Sequence, residues 1–152
     1  GFHIDFEIAF DHPAINESRQ RIGLDITTQS FTEEISRART FGFMKDIEYM
    51  HANNLALGGS MDNAVVLDDF KVLNPNGLRY SDEFVKHKIL DCVGDMFMTG
   101  HNILGKITAY KSVHDLKNKL LRKSMATESA WEWATFETPV TMPAPGLEVA
   151  TA

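Results

Sequence analysis

A single cysteine, Cys92, stands among apolar neighbours in the 152 residues. One thiol excludes a disulfide framework and predicts a small buried side chain in a reducing, cytoplasmic protein. No apolar run reaches the roughly 20 residues that a membrane-spanning helix needs, and the N-terminus lacks a basic segment followed by an apolar signal core. We therefore expect a soluble, unprocessed chain with no membrane span.

Basic residues are also in short supply, with 15 Lys and Arg against 21 Asp and Glu and a formal net charge of −6. A nucleic-acid or anionic-membrane surface needs a concentrated basic face, so neither partner is expected. The local cluster of Lys117, Lys119, Arg122 and Lys123 is interpreted as a solvated helix end. The chain also lacks an initiator Met and begins at Gly1 inside a strand pattern, which indicates a piece of a longer protein.

Apolar periodicity predicts a mixture of strands and helices. Strands are expected at residues 2–10, 22–26, 55–57, 64–67, 105–111 and 131–136. Helices are expected at residues 32–38, at 45–54 and at 81–99, the last with Ser81 as N-cap. A further helix is expected to begin at Ser112, which forms a capping box with Asp115. Its buried residues are expected to be Leu116, Leu120 and Leu121. The pattern favours a two-layer α+β sandwich of a mainly antiparallel sheet and packed helices. This domain spans residues 1–137, with a small inserted β-α-β unit at about 43–72 and a flexible tail at 138–152.

His87 and Asp91 are four residues apart in the longest and most apolar predicted helix, so they share one face of it. A carboxylate beside apolar neighbours needs a partner, and a metal ion is one candidate. A simple hydrogen-bonded pair on a solvated face is the alternative that spacing alone favours. A catalytic zinc site also needs a third protein ligand, which these two residues do not supply. His114 and Asp95 are the nearest further candidates, although a lone histidine at a helix start is most often a surface or capping residue.

Five segments carry a resemblance to a known family: SRARTFGF at 36–43, LGGS at 57–60, EFVKHKILD at 83–91, GD at 94–95 and YKSVH at 110–114. Together they resemble the C-terminal half of the zinc-dependent UDP-3-O-acyl-N-acetylglucosamine deacetylases, which act in lipid A biosynthesis in Gram-negative bacteria. The resemblance runs from about residue 2 to residue 136. It implies Zn²⁺ as cofactor and hydrolysis of an N-acetyl amide of a UDP-sugar.

The resemblance also assigns roles to individual residues. His87 and Asp91 match two zinc ligands, His114 matches the catalytic histidine, Asp95 matches its carboxylate partner, and Thr40 matches a threonine near the developing oxyanion. The substrate-side matches are Lys88, Phe41 beside the hexosamine and Phe10 stacked on uracil. An apolar passage for the acyl chain is implied at Phe43, Met44, Ile47, Ala56, Ser60, Met61 and Val66, although each apolar member of that set could equally be core.

Two departures from the family pattern limit these expectations. The third zinc histidine and the glutamate base of the family belong to an N-terminal half that this chain lacks, so the chain alone is expected to be inactive. Val113, Asp115 and Lys117 replace the usual Gly, Ala and Asn around His114, which puts the pose of that histidine in question. The alternatives are a non-catalytic module that binds a nucleotide sugar or acyl chain without stable metal, and a purely structural domain.

Overall fold

The computed structural model describes residues 1–135, which form two small β-sheets with helices packed against them. In chain order the main elements are β1 (Phe2–Glu7), α1 (Pro13–Asn16), β2 (Arg21–Ile26), α2 (Thr28–Ser30), β3 (Thr40–Phe43), α3 (Met44–Ala52), β4 (Ala64–Leu67), α4 (Glu83–Phe97), β5 (Gly105–Tyr110) and α5 (His114–Met125). A π-helical turn, Phe31–Ile35, continues α2. No helix of residues 1–135 is long and apolar enough to cross a membrane.

The central strand β1 organises the larger sheet and its core. The strand order is β2-β1-β5, and β1 pairs antiparallel with β2 but parallel with β5. Side chains alternate across a strand, so Ile4 and Phe6 of β1 point to one face, where both are fully buried. Helix α4 packs on that face and contributes Phe84, Ile89 and Cys92 to the same core cluster.

The second sheet belongs to a β-α-β unit. Strands β3 and β4 are parallel, with Thr40 opposite Ala64 and Phe43 opposite Leu67, and α3 lies between them in the chain. A parallel pair needs a crossover rather than a hairpin, which α3 and the loop after it supply. The unit is fastened by Asn74, whose side chain accepts a hydrogen bond from the Val66 N–H and donates to the carbonyls of Met61 and Ala64.

A buried ion pair fixes the start of α4 against the chain that leads into β3. Glu83 is fully buried and accepts hydrogen bonds from the Arg39 side chain at 2.9 and 3.1 Å. The backbone N–H groups of Arg39 and Arg79 donate to the same carboxylate, and Arg39 also donates to the Gly77 carbonyl. The carboxylate is therefore hydrogen-bonded on both oxygens, as a buried charge requires.

The sequence predicted several of these elements and missed the direction of strand pairing. The mixed α+β class is confirmed, but the sheet is not mainly antiparallel, because β1 with β5 and β3 with β4 are both parallel pairs. A β-α-β unit is present as β3, α3 and β4, but its first strand, Thr40–Phe43, lies in a stretch where no strand was predicted. The strand predicted at 55–57 is wrong. Leu55 and Leu57 are exposed in an irregular loop in which Asn54 and Ala56 have positive φ, a conformation that a strand cannot contain.

The N-cap residues predicted for the helices α4 and α5 are wrong by one position. Asp82, not Ser81, is the N-cap residue of α4, and Val113, not Ser112, is that of α5, and neither makes a side-chain capping hydrogen bond. Leu116 and Leu120 of α5 are largely exposed, and the buried residue of that helix is Lys117. The interpretation of the basic cluster as wholly solvated is therefore wrong for Lys117.

The C-terminal predictions are only partly covered by the described residues. Trp131 and Trp133 stack edge to face at 5.4 Å between ring centroids, but residues 131–135 form no strand. Phe136 and the tail predicted at 138–152 lie outside the described residues, as does the domain boundary expected at residue 137.

Candidate metal centre

Helix α4 carries the three polar residues on which the site is built. His87, Asp91 and Asp95 follow one another at intervals of four residues and therefore line one face of the helix. The opposite face holds the buried residues Val85, Ile89 and Cys92. This apolar packing fixes the rotation of α4 about its axis, so the polar stripe is presented away from the core.

The first pair of the stripe is spaced like two ligands of one ion. His87 Nε2 lies 3.3 Å from Asp91 Oδ1, and both side chains are about 14% exposed. This distance is long for a charge-assisted hydrogen bond, which is usually about 2.7–2.9 Å. Two ligands at about 2.0–2.2 Å from a tetrahedral zinc ion are roughly 3.3–3.5 Å apart. The spacing of the pair is therefore compatible with two ligands of one cation as well as with a weak direct ion pair.

The protonation state of His87 agrees with that interpretation. Burial lowers the pKa of His87 below its ordinary value of 6.5, even though the nearby Asp91 carboxylate opposes the shift. A neutral imidazole is the form that binds metal. The other ring nitrogen, Nδ1, is buried and forms no hydrogen bond of ordinary geometry among residues 1–135, although the Ala38 backbone lies near enough to favour the protonated ring. His87 is thus a buried polar side chain that is only weakly paired within this part of the chain.

The second oxygen of Asp91 faces two cationic or proton-bearing groups. Lys88 Nζ lies 3.1 Å from Asp91 Oδ2, and His114 Nε2 lies 3.8 Å from the same atom. Asp91 therefore has one oxygen toward His87 and the other toward Lys88 and His114. This arrangement brings together four residues to which the family resemblance gives roles in metal binding, proton transfer and substrate contact.

His114 is held from its far side by Asp95. Its Nδ1 lies 2.8 and 2.9 Å from the two oxygens of Asp95. An ionised carboxylate only accepts hydrogen bonds, so Nδ1 carries the proton and Nε2 is the atom left to act. The Val113 backbone has φ −112°, an extended conformation that a β-branched residue adopts freely, so this substitution does not prevent the pose. The expected pairing of Asp95 with His114 is present.

Asp95 also pairs with a residue to which the sequence assigned no role. Lys117 Nζ lies 2.7 Å from Asp95 Oδ2, and the Lys117 side chain is 3% exposed. Burial alone would raise the pKa of Asp95, but the hydrogen bonds from Lys117 and His114 outweigh it and hold the pKa below its ordinary value of 3.8. Asp95 is therefore ionised at neutral pH.

The donor set is a partial one. Among residues 1–135, no group of three or more His, Cys, Asp or Glu side chains is arranged to hold a metal ion. His87 and Asp91 fit zinc in donor type, spacing and protonation, and a third donor would have to come from outside the described residues.

Aromatic rings connect this centre to the loop after β1. Phe41 lies 6.3 Å from the His87 ring and 5.4 Å from the ring of Phe10, both edge to face. Phe43 lies 6.3 Å from Phe10, and Lys88 Nζ is 5.9 Å from the centre of the Phe41 ring. The aromatic residues expected to contact hexosamine and uracil therefore form one continuous surface that starts at His87.

The residues expected to line an acyl passage are spread over the β-α-β unit. Phe43 at the end of β3 and Met44 and Ile47 on α3 are half-buried, and Val66 is buried on β4. Ala56, Ser60 and Met61 are exposed in the loop between α3 and β4. Thr40 is exposed at the start of β3. The β-α-β unit carries all of these residues, but their predicted roles remain predictions.

Sequence reasoning also missed His12, which joins two parts of the site. His12 is buried, its Nε2 lies 2.7 Å from the Asp68 carbonyl, and its Nδ1 accepts the N–H of Ala14 at 3.2 Å. It thus ties the loop that carries Phe10 to the end of the β-α-β unit. The only local indication is its place before Pro13 at the start of a helix.

Comparison with known proteins identifies the class to which this arrangement belongs. Residues 1–126 match the family model of LpxC, UDP-3-O-acyl N-acetylglycosamine deacetylase, and the chain belongs to this family. A protein named UDP-3-O-acyl-N-acetylglucosamine deacetylase from Pseudoalteromonas translucida is 93% identical over 152 residues, which is 100% of this chain and 50% of that protein.

More distant relatives with the same name give the same picture. The protein of Photobacterium profundum is 58% identical over 99% of this chain and 50% of its own length. That of Idiomarina loihiensis is 62% identical over 90% of this chain and 45% of its own length. The chain therefore spans about half the length of the curated relatives it matches.

Proposed function

We propose that this chain is one half of a zinc-dependent amidase that removes the N-acetyl group from UDP-3-O-acyl-N-acetylglucosamine, a step of lipid A biosynthesis. The observation that carries the proposal is the convergence of His87, Asp91 and His114 on one point of α4. Family membership supplies the reaction, and the chain supplies two metal donors and one histidine. The remaining donor and the base are assigned to the other half of the protein, so the chain alone is inactive.

In this proposal His87 and Asp91 would hold the zinc. When bound, zinc would supply Lewis acidity that polarises an amide carbonyl and lowers the pKa of water. His87 is suited to the role because its imidazole is neutral, and Asp91 because Lys88 pairs with its other oxygen, Oδ2. The aromatic surface of Phe10 and Phe41 excludes water from one side and positions the sugar nucleotide.

His114 acts on the leaving group. Its Nδ1 proton is held by Asp95, so Nε2 faces the space beside Asp91 and is the atom that holds or delivers a proton. In that position it stabilises developing negative charge or protonates the departing amine, while Thr40 lies near the oxyanion. The products are acetate and a free sugar amine. Lys88 contacts the substrate from the same helix as Asp91, and the β-α-β unit receives the acyl chain.

The test is zinc content and deacetylation, measured on the complete protein and on this chain alone. We expect zinc retention and turnover in the complete protein, no turnover by the chain, and loss of both properties in His87→Ala. His3→Ala is the matched control, because His3 also pairs with an aspartate, Asp25, at 2.7 Å, but on the sheet surface. Turnover by the chain alone, or unchanged zinc in His87→Ala, would contradict the proposal.

A second candidate is a binding module that recognises the nucleotide sugar or acyl chain without stable metal. The presence of only two suitable metal donors among residues 1–135 favours it for the isolated chain. The two candidates are separated by titrating the chain with UDP in the presence of a chelator and by measuring zinc content and deacetylation of the complete protein. Binding by the isolated chain, together with a complete protein that neither retains zinc nor deacetylates, would favour the module.

A further inference from the structure

Lys117 is a buried cation that the proposed mechanism does not use. Its side chain is 3% exposed, and its ammonium lies 5.9 Å from the centre of the Phe6 ring in the core. Lysine is almost never fully buried unless it is paired, because an unpaired ammonium in an apolar environment is costly. The pairing partner is Asp95, at 2.7 Å.

The same oxygen of Asp95 serves both Lys117 and the proposed catalytic histidine. Asp95 Oδ2 lies 2.7 Å from Lys117 Nζ and 2.8 Å from His114 Nδ1. Lys117 follows His114 by three residues on α5, so the two side chains leave the helix on the same face and reach one carboxylate on α4. The three groups form a chain that begins in the core at Lys117 and ends at the exposed ring of His114.

We propose that Lys117 is a positioning residue: it fixes the carboxylate of Asp95 from the buried side and thereby orients His114 for proton transfer. The inference rests on the proposed function, because it concerns the same histidine.

The geometry shows why His114 needs such support. Its side chain is 66% exposed, so little packing restrains the ring, whereas Asp95 is 19% exposed and Lys117 is nearly enclosed. The orientation of a histidine ring that is hydrogen-bonded to a carboxylate depends on how firmly that carboxylate is held in place. An ammonium held in the core prevents rotation of the Asp95 carboxylate and leaves its oxygens directed at Nδ1. A hydrogen-bonded supporting group of this kind typically contributes about 10- to 100-fold to activity.

Kinetics of the complete protein test the proposal. Lys117→Gln keeps a donor and most of the length of the side chain but removes the charge. We expect kcat for the UDP-sugar substrate to fall about 10- to 100-fold with KM unchanged, and Lys117→Arg to recover part of that loss. The matched control is Lys119→Gln, because Lys119 lies on the same helix, is 70% exposed and pairs with Asp115. A folded Lys117→Gln protein with kcat within about twofold of the unaltered protein would overturn the proposal.

A spectroscopic measurement decides the question independently of activity. In the unaltered protein, histidine-selective ¹⁵N NMR should show His114 with its proton fixed on Nδ1, and this signature should be lost in Lys117→Gln but kept in Lys119→Gln.

If Lys117→Gln does not fold, the Lys117 ammonium of the unaltered protein is observed directly. Slow solvent exchange with a contact to the His114 ring supports the proposal, and fast exchange like that of Lys119 overturns it. Lack of deacetylase activity in the unaltered protein counts against the proposed function, and the NMR result still decides the role of Lys117.

Discussion

The first turn of α4 and its middle both place carboxylates beside cations, but the two groups differ in how completely their polar atoms are paired. At the first turn, Glu83 accepts four hydrogen bonds from Arg39 and Arg79 and is fully buried. In the middle, His87 has a buried ring nitrogen with only a weak contact to the Ala38 backbone, and its nearest contact to Asp91 is 3.3 Å. A cluster whose polar atoms are all hydrogen-bonded has no free donor or acceptor for a ligand, whereas a cluster with a poorly paired polar atom can bind one.

Burial of charge alone therefore does not identify a functional site. Glu83 is more buried than Asp91, yet its pairing with Arg39 explains it completely as a structural connection between α4 and β3. Asp91 and His87 are less buried and remain incompletely explained until a further group is added. Stability measurements distinguish the two clusters, because altering a structural cluster should lower the free energy of unfolding and altering a ligand site should not.

The largest effect is expected for Arg39→Met, which leaves Glu83 buried without its countercharge. Breaking one partner of a buried ion pair typically costs about 3–5 kcal/mol, and equilibrium urea unfolding should show a loss of that size. Arg21→Met is the matched control, because Arg21 pairs with Asp5 at the surface and is 62% exposed. An exposed pair contributes about 0–1 kcal/mol. Equal losses in the two variants would show that the Glu83 cluster has no special structural role.

A smaller effect is expected when acid removes the charge of Glu83 but leaves its neighbours in place. Burial alone would raise the pKa of Glu83, but the hydrogen bonds from Arg39 and from the N–H of Arg79 outweigh it and hold the pKa below its ordinary value of 4.5. The unfolded chain therefore binds the proton more tightly. The associated stability is fully present above about pH 4.5 and is lost as the pH falls through the lower folded-state value.

Urea unfolding at pH values from about 7 down to about 3 measures this loss. Glu83→Gln has no proton to bind, so its stability should lack that part of the acid dependence. A Glu83→Gln protein with an acid profile parallel to that of the unaltered protein would place the acid sensitivity elsewhere.

The opposite result is expected at the middle of α4. His87→Leu removes a buried ring nitrogen whose contact with the Ala38 backbone is weak and replaces it with an apolar side chain. A poorly satisfied buried polar group contributes little to stability, so metal-free stability should change by less than about 1 kcal/mol. Unfolding in the presence of a chelator measures it, and metal analysis of the complete protein should show loss of zinc. A destabilisation above about 2 kcal/mol would mean that His87 is a structural residue like Glu83.

The two clusters also differ in how far the sequence could predict them. His87 and Asp91 are four residues apart, so helical spacing was enough to predict that they would meet. Arg39 and Glu83 are 44 residues apart, and no local pattern connects them. Lys117 was assigned to solvent for the same reason, because which face of α5 is buried depends on its contact with α4 and not on α5 alone. The pairing of Asp95 with His114 followed from the family resemblance, and the structure shows it at 2.8 Å.

Strand direction was beyond local prediction as well. Alternation of apolar and polar residues is the same for parallel and antiparallel neighbours, so the pattern of residues 105–111 correctly predicted β5 but not its pairing with β1. The loop after α3 shows a related difficulty. Leu55 and Leu57 flank Ala56 in an apolar run, but their side chains are exposed. An apolar run at this place therefore does not predict a buried strand.

The smallest effect is expected at Cys92, which lies on α4 between Asp91 and Val93 but on the core side. The thiol is fully buried, and burial raises its pKa to about 11. A thiol reacts as the thiolate, so at about pH 8 native Cys92 should react with a disulfide reagent far more slowly than the same residue in urea, and close to not at all on the timescale of minutes.

The reaction rate reports how often α4 separates from the sheet. Arg39→Met should therefore accelerate labelling, because it destabilises the attachment of α4, whereas His87→Leu should leave the rate unchanged. Equal acceleration by both variants would show that the two clusters hold α4 in place to the same degree, and the contrast between a structural and a ligand-binding cluster would not hold.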